Sequence, residues 1–165
     1  MTFAKIVFVM LTVVIAFPTF ASQIQYAPPS AANLQLNLVS RNDDKLEFEA
    51  QFNATFGVIT NLECYFESSP GIEVYPMQTS ITSIKQGESA KYNFAATVTD
   101  KSALQNGWIR FRVSYLPDYD KILAYINANH QKYPDEYARS MLLENMQRVA
   151  DEARHASDNL RYFLK

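Results

Sequence analysis

The residues that could do chemistry in this chain are mostly acids. They stand in neighbouring pairs at Asp43/Asp44, Asp118/Asp120, Asp135/Glu136 and Asp151/Glu152. Two carboxylates do general acid–base work when their surroundings push their pKa values apart. Each pair falls at a turn, a helix start or an exposed helix face, so turn and capping chemistry accounts for it. Asp118-Tyr119-Asp120 has the first two acids of a calcium loop, but Lys121-Ile122-Leu123 follows, without the glycine or closing glutamate such a loop needs. His130 and His155 lie on different helical segments with no partner at metal-ligand spacing, and a single cysteine, Cys64, cannot complete a zinc pattern. Nucleophile-elbow, P-loop and dinucleotide signatures are absent, and the chain's 4 glycines leave little from which to build a phosphate cradle. Asn53-Ala54-Thr55 is a glycosylation sequon, relevant only in a eukaryotic host. The sequence therefore carries no catalytic residue, metal site or cofactor expectation.

Binding chemistry has two candidates. In WIRFRVSY, Ile109, Phe111, Val113 and Tyr115 alternate with Trp108, Arg110, Arg112 and Ser114. A strand puts the two sets on opposite faces. Trp and Arg are the residue types that most often anchor interfaces, and along one strand face they can form cation–π contacts. The second candidate is an apolar stripe: Leu142, Met146, Val149, Ala153, Ala156, Leu160 and Phe163 recur at steps of four and three, as on one side of a helix. Either a C-terminal helix covers the Trp108 face and its acids meet the arginines, or that face is open.

The elements that must position these residues are mostly strands. Leu34, Leu36 and Leu38 alternate with polar residues before an Arg41–Asp44 turn; Leu46, Phe48, Ala50 and Phe52 alternate with Glu47, Glu49 and Gln51. Period-two patterns of this kind mark half-buried antiparallel strands. Further strands are expected over 58–66, 72–75, 79–84, 90–98 and 108–115, separated by the turn signals Pro70-Gly71, Gln86-Gly87-Glu88 and Asn106-Gly107. Cys64, alternating with Leu62 and Phe66 between two glutamates, reads as a small buried hydrophobe rather than a reactive thiol. Tyr65 then faces the other way.

Pro117 changes the pattern. Asp118 suits a helix N-cap, Ile122, Leu123 and Ile126 share a face, and Pro134-Asp135-Glu136 restarts a helix that meets no Gly or Pro before the C-terminus. About 30 helical residues make a rod of roughly 45 Å, against about 25–30 Å for a strand of seven to nine residues. A straight helix would overhang the sheets. The expected fold is mainly β with an α extension: a seven-stranded immunoglobulin-like β-sandwich over 34–116, then a C-terminal helical hairpin over 117–165, a short helix plus a long amphipathic one.

The N-terminus reads separately. Met1–Lys5 is short and basic, Ile6–Phe17 is apolar and uncharged, and Pro18 leads to Thr19-Phe20-Ala21. This is the layout of a signal peptide over 1–21, too short for a membrane span of about 20 residues. Residues 22–33, with Pro28-Pro29-Ser30, read as a flexible leader. Removing 1–21 deletes Lys5 and no acid, taking the net charge from −2 to −3. That mild acidity makes no electrostatic case for nucleic acid or an anionic membrane.

Phe66-Glu67-Ser68-Ser69-Pro70-Gly71-Ile72-Glu73-Val74, Ile81–Ile84, Gln86-Gly87-Glu88-Ser89-Ala90 and Trp108–Val113 together resemble the turns and strands of exported bacterial immunoglobulin-like modules, the adhesion-type, CARDB-like group. The resemblance spans about half the chain and implies a sandwich with a binding or spacer role; the helical tail departs from it.

The combined expectation is an exported, soluble, non-enzymatic interaction or accessory protein, periplasmic in a Gram-negative cell and otherwise secreted. It would bind a protein partner, or itself, through Trp108, Arg110 and Arg112 or through the stripe at Leu142, Met146, Val149, Leu160 and Phe163. Neither nucleic acid nor stable membrane insertion after cleavage is expected. The alternative is a glycan- or small-ligand-binding module using Tyr65, Tyr75 and Trp108. Expression with residues 1–21 in a Gram-negative host is expected to yield a periplasmic chain whose first residue, by N-terminal sequencing, is Ser22; a membrane-retained chain that still starts at Met1 contradicts the signal reading.

Overall fold

The computed structural model describes residues 25–164. The signal peptide expected over 1–21 lies outside the described residues. Eight strands form two antiparallel sheets. β1 (Ala32–Asn42), β2 (Lys45–Ala54), β6 (Ser89–Val98) and β4 (Ile72–Tyr75) make one sheet in the order β1-β2-β6-β4. β5 (Gln78–Ile84), β3 (Ile59–Ser68), β7 (Trp108–Leu116) and β8 (Ala156–Phe163) make the other in the order β5-β3-β7-β8.

The alternation read from sequence decides which side chains face inward. Leu46, Phe48, Ala50 and Phe52 of β2, Leu62, Cys64 and Phe66 of β3, and Ile109, Phe111, Val113 and Tyr115 of β7 are all buried between the sheets. At the centre four rings stack across the sandwich. Phe48 and Phe94 are cross-strand partners with centroids 5.2 Å apart. Phe66 and Phe111 are partners in the other sheet at 5.4 Å. Phe66 and Phe94 bridge the two sheets at 4.3 Å. Stacked aromatic pairs contribute about 0.5–1.5 kcal/mol each beyond their burial.

Cys64 is buried beside this stack. Burial pushes its thiol up to about 11, against a weaker opposing pull from Tyr92. The Tyr92 hydroxyl is buried next to it and meets no partner at full hydrogen-bond geometry.

The helical region departs from the expectation. α1 (Ala103–Asn106) is a single turn before β7. α2 (Tyr119–Ala128) and α3 (Glu136–Asp151) form a hairpin, but it is inserted between β7 and β8 rather than appended after the sandwich. The sandwich therefore has eight strands, not seven, and the long helix stops at Asp151. Ala153 takes a left-handed φ of 45°, and Arg154 N–H donates back to the Val149 carbonyl, ending the helix without a glycine. The following residues carry a second pattern beneath the helical stripe. Ala156, Leu160 and Tyr162 sit at even positions, so a strand also puts them on one face. The edge of β7 selects that pattern by offering eight paired positions, from Tyr115↔Ala156 to Trp108↔Phe163.

The hairpin caps one end of the sandwich with a small core of its own: Ile122, Ile126, Tyr133 and Leu142. Asp118 caps α2 by accepting from Lys121 N–H at 3.0 Å, and Asp135 caps α3 by accepting from Ala138 N–H at 2.7 Å. Pro134 thus precedes the cap instead of opening the helix. Phe56, in the β2–β3 loop, meets Tyr125 edge to face at 5.1 Å. β1 begins at Ala32, inside the stretch read as a flexible leader, and the residues before it are docked: Tyr26 packs on Tyr133 at 5.3 Å and its hydroxyl accepts from Asp135 N–H. Among the described residues no helix is long and apolar enough to cross a membrane.

Gly57 joins hairpin to sandwich. It has φ +71°, and a Cβ there would lie 2.5 Å from the Asp118 Cβ. Gly87 has φ +85°, but a Cβ there would meet nothing within 4 Å. Gly57→Ala is expected to cost about 2–3 kcal/mol, combining a left-handed backbone penalty of about 1–2 kcal/mol with a displaced cap worth about 1 kcal/mol. Gly87→Ala is expected to cost only the first part. Urea unfolding of both variants checks this; equal losses would remove the clash from the account.

Candidate functional site

The outer face of the β5-β3-β7-β8 sheet carries the charged and aromatic residues that sequence alternation sets opposite the core. Cross-strand register fixes who meets whom: Tyr65 opposes Arg112, Glu67 opposes Arg110, Arg110 opposes Arg161, and Trp108 opposes Phe163. Two arginines directly opposite on adjacent strands repel. The side chains resolve this by leaning apart. Arg110 turns to β3, where its Nε donates to Glu67 at 2.8 Å, while Arg161 lies over the Trp108 ring at 4.6 Å and near Phe163 at 5.9 Å.

The result is a continuous ladder. Arg112 Nε donates to the other oxygen of Glu67 at 2.9 Å, and its guanidinium sits 4.2 Å above Tyr65. The Tyr65 hydroxyl donates to Glu63. Arg110 lies 5.3 Å from the Trp108 centroid, so the indole is bracketed by two guanidinium groups. Trp108 is anchored from behind by Ser69: its N–H donates to the Ser69 hydroxyl at 3.1 Å, and Ser69 N–H donates to its carbonyl at 2.9 Å. The Ser-Ser-Pro-Gly turn after β3 thus holds the start of β7 in place. Cation–π contacts at such half-exposed positions contribute about 0.5–1 kcal/mol each.

Trp108, Arg110 and Arg112 are half-buried, and the side chains they bond to or stack on are Tyr65, Glu67, Ser69 and Arg161, none of them on the helical hairpin. The stripe residues divide among three places. Leu142 is buried in the hairpin core with Met146 packed against it, and Val149 is buried on the same helix. Leu160 and Phe163 belong to β8 instead of a helix: Leu160 shares the inward-facing parity of Tyr162, and Phe163, 56% exposed, joins Trp108 on the outer face. Sequence reasoning missed Arg161 and Glu67 as members of the ladder. Arg161 was hidden by the helical reading of its segment; Glu67 could have been found as the residue facing the same side as Tyr65.

Among the described residues no group of three or more His, Cys, Asp or Glu is placed to hold a metal. His155 Nδ1 lies 3.4 Å from the Ser114 hydroxyl, and His130 contacts Arg139 in the hairpin. The outer face offers fixed donors, aromatic surface and three guanidinium groups over rings, two of them paired with Glu67 and the third, that of Arg161, held by rings.

Burial works to raise the Glu67 carboxyl, but hydrogen bonds from Arg112 and Arg110, with their charges, outweigh it and hold it below the ordinary glutamate range. A depressed folded-state pKa contributes stability above the unfolded value, and that contribution is lost as pH falls through the folded value. Glu67→Gln is therefore expected to unfold at lower urea than the parent at pH 7, with the gap shrinking as pH falls below the ordinary glutamate range. A gap of constant size over that fall contradicts the role given to the two arginines.

No family model matches the chain, and no curated protein matches it. What holds of the likeness to adhesion-type modules is the two-sheet antiparallel β-sandwich. Among solved structures, the chain is similar to the GAE domain of GGA2p from Saccharomyces cerevisiae, with 9% identity and a TM-score of 0.44 over 86% of this chain and 95% of that one. It is also similar to a FixG-related protein from Vibrio parahaemolyticus, with 7% identity and a TM-score of 0.36 over 82% of this chain and 98% of that one.

Proposed function

We propose that this is an exported, non-enzymatic interaction or accessory protein that holds a partner protein on the outer face of its β5-β3-β7-β8 sheet. The observation that carries the reading is the ladder of Trp108, Arg110, Arg112, Arg161 and Phe163, fixed within the face by Glu67 and at the start of β7 by Ser69, with no bond or ring contact from these residues to the hairpin. Preorganised aromatic and arginine side chains suit binding because little side-chain entropy remains to be lost. The resemblance of the turns to exported immunoglobulin-like modules fits a binding or spacer role.

Two rival surfaces are less well supported. Leu142 and Val149 turn inward, so α3 offers outward only Tyr137 and Met141 as large exposed apolar groups. A glycan platform would need Tyr65, Tyr75 and Trp108 side by side with free ring faces. Tyr75 lies on β4 in the other sheet, and guanidinium groups sit over Tyr65 and Trp108.

A photo-crosslinking residue at Phe163, compared with one at Tyr137, tests the surface in the compartment where the protein resides. A discrete adduct is expected from position 163 alone, and Arg112→Glu should reduce it several-fold. Equal adducts from both positions, or one insensitive to Arg112→Glu, overturn the assignment.

A further inference from the structure

The ladder ends at β8, whose second edge pairs with no strand among the described residues. Free edges are usually blunted by shortness, bulges, proline, lysine or an inward-pointing charge. β4 has only 4 residues, and the β1 pairing is broken by a bulge at Val39. β8, ASDNLRYF, runs 8 residues in unbroken register with neither proline nor lysine, and its one inward-pointing charge, Asp158, is engaged by the Tyr115 hydroxyl. Beyond its edge, between β8 and β1, lies an open groove of about 540 Å³ with a mixed lining: Ala32, Leu34 and Leu160 supply its apolar part, and Ser30, Asn33, Thr55, Asp158 and Asn159 its polar part. On the outer side of the same strand is Arg161. Its guanidinium rests on aromatic faces, while the nearby carboxylate of Glu67 is already engaged by Arg110 and Arg112.

We propose that β8 accepts an added strand: an extended segment of a partner protein in which acidic and apolar residues alternate. The proposal rests on the function proposed above and specifies how the partner is held. Main-chain groups of the segment pair with the free edge of β8, which supplies affinity independent of sequence. Period-two alternation then sends one set of side chains into the groove against Leu34 and Leu160, and the other set over the outer face. Carboxylates on the outer side meet Arg161, giving a charge-assisted contact that the free protein lacks. Asp158 fixes the sense of the alternation. Its carboxylate stands on the groove side, accepting from the Tyr115 hydroxyl at 2.7 Å, and it repels an acid placed there. Apolar groups are thereby directed inward and acids outward.

The probes are ten-residue synthetic peptides: alternating valine and aspartate, alternating valine and lysine, and the valine–aspartate peptide with a central proline. The protein is the chain from Ser22, and the readouts are amide exchange over 156–163 and the fluorescence of Trp108, the chain's single tryptophan. The valine–aspartate peptide is expected to slow exchange along β8 and to change Trp108 emission, and the other two are expected to do neither. Arg161→Glu, at an exposed position, should weaken that peptide at least tenfold, with unchanged amide shifts in β2 showing that the variant is folded. If Trp108 responds while β8 exchange does not, the face binds without strand addition: this inference falls and the proposed function stands. Equal binding of the lysine peptide overturns the charge assignment. A concentration-dependent dimer whose β8 amides are protected without peptide gives the edge to a second copy and overturns the proposal. Silence of both readouts beside a positive crosslink from position 163 also overturns it, leaving the surface assignment intact.

Discussion

Four phenylalanines hold the sandwich together. Phe48 and Phe94 stack within one sheet, Phe66 and Phe111 within the other, and the 4.3 Å contact of Phe66 with Phe94 joins the two. Every other placement follows from these inward positions. Because side chains alternate with a period of two, fixing Phe66 and Phe111 inside puts Tyr65, Glu67, Arg110 and Arg112 outside. A slip of one residue in β7 would bury two arginines and expose four large apolar groups. The core therefore sets the register of the outer face as firmly as it sets its own packing.

The outer face shows how a sheet accommodates like charge. Arg110 and Arg161 stand directly opposite, an arrangement that costs stability unless each finds its own partner. Glu67 draws one away, and the faces of Trp108 and Phe163 receive the other. Arginine tolerates this division because its guanidinium is flat and weakly hydrated, whereas a lysine ammonium would favour water over the ring. The pairing of one carboxylate with two guanidinium groups keeps the positive excess on the side nearer β8. On a chain whose formal charge is −2, that excess is local, not global.

Much of this was legible in the sequence. The period-two runs located β2, β3, β6 and β7, and they put Cys64 inside and Tyr65 outside. Asp118 announced α2 by its capping chemistry. The part that was not legible is the segment after Asp151. Leu160 and Phe163 fit a helical stripe begun at Leu142, and no glycine or proline marked its end. The same residues also fit a strand, and periodicity alone does not choose between two valid patterns. The choice is tertiary: β7 has an unpaired edge, and pairing satisfies a row of backbone groups at once. Arg161 was lost with that choice, since its neighbours on the sheet come from β7 and are far away in sequence. The docking of Tyr26 on Tyr133 was hidden for the same reason.

Placing the helical hairpin between β7 and β8 also changes what kind of connection it is. A flexible link of about 40 residues would cost roughly 2–3 kcal/mol more in closure entropy than a two-residue turn. Folded into a hairpin with its own apolar core, pinned at one root by Gly57 against Asp118 and at the other by the Tyr119 hydroxyl donating to the Arg154 carbonyl, the link behaves as a short rigid bracket. The last strand is thereby delivered to its neighbour with its direction already set. The corollary is a dependence between distant parts: Arg161 and Phe163 meet Trp108 only where β8 lies along β7, and β8 is tied to β7 through the hairpin.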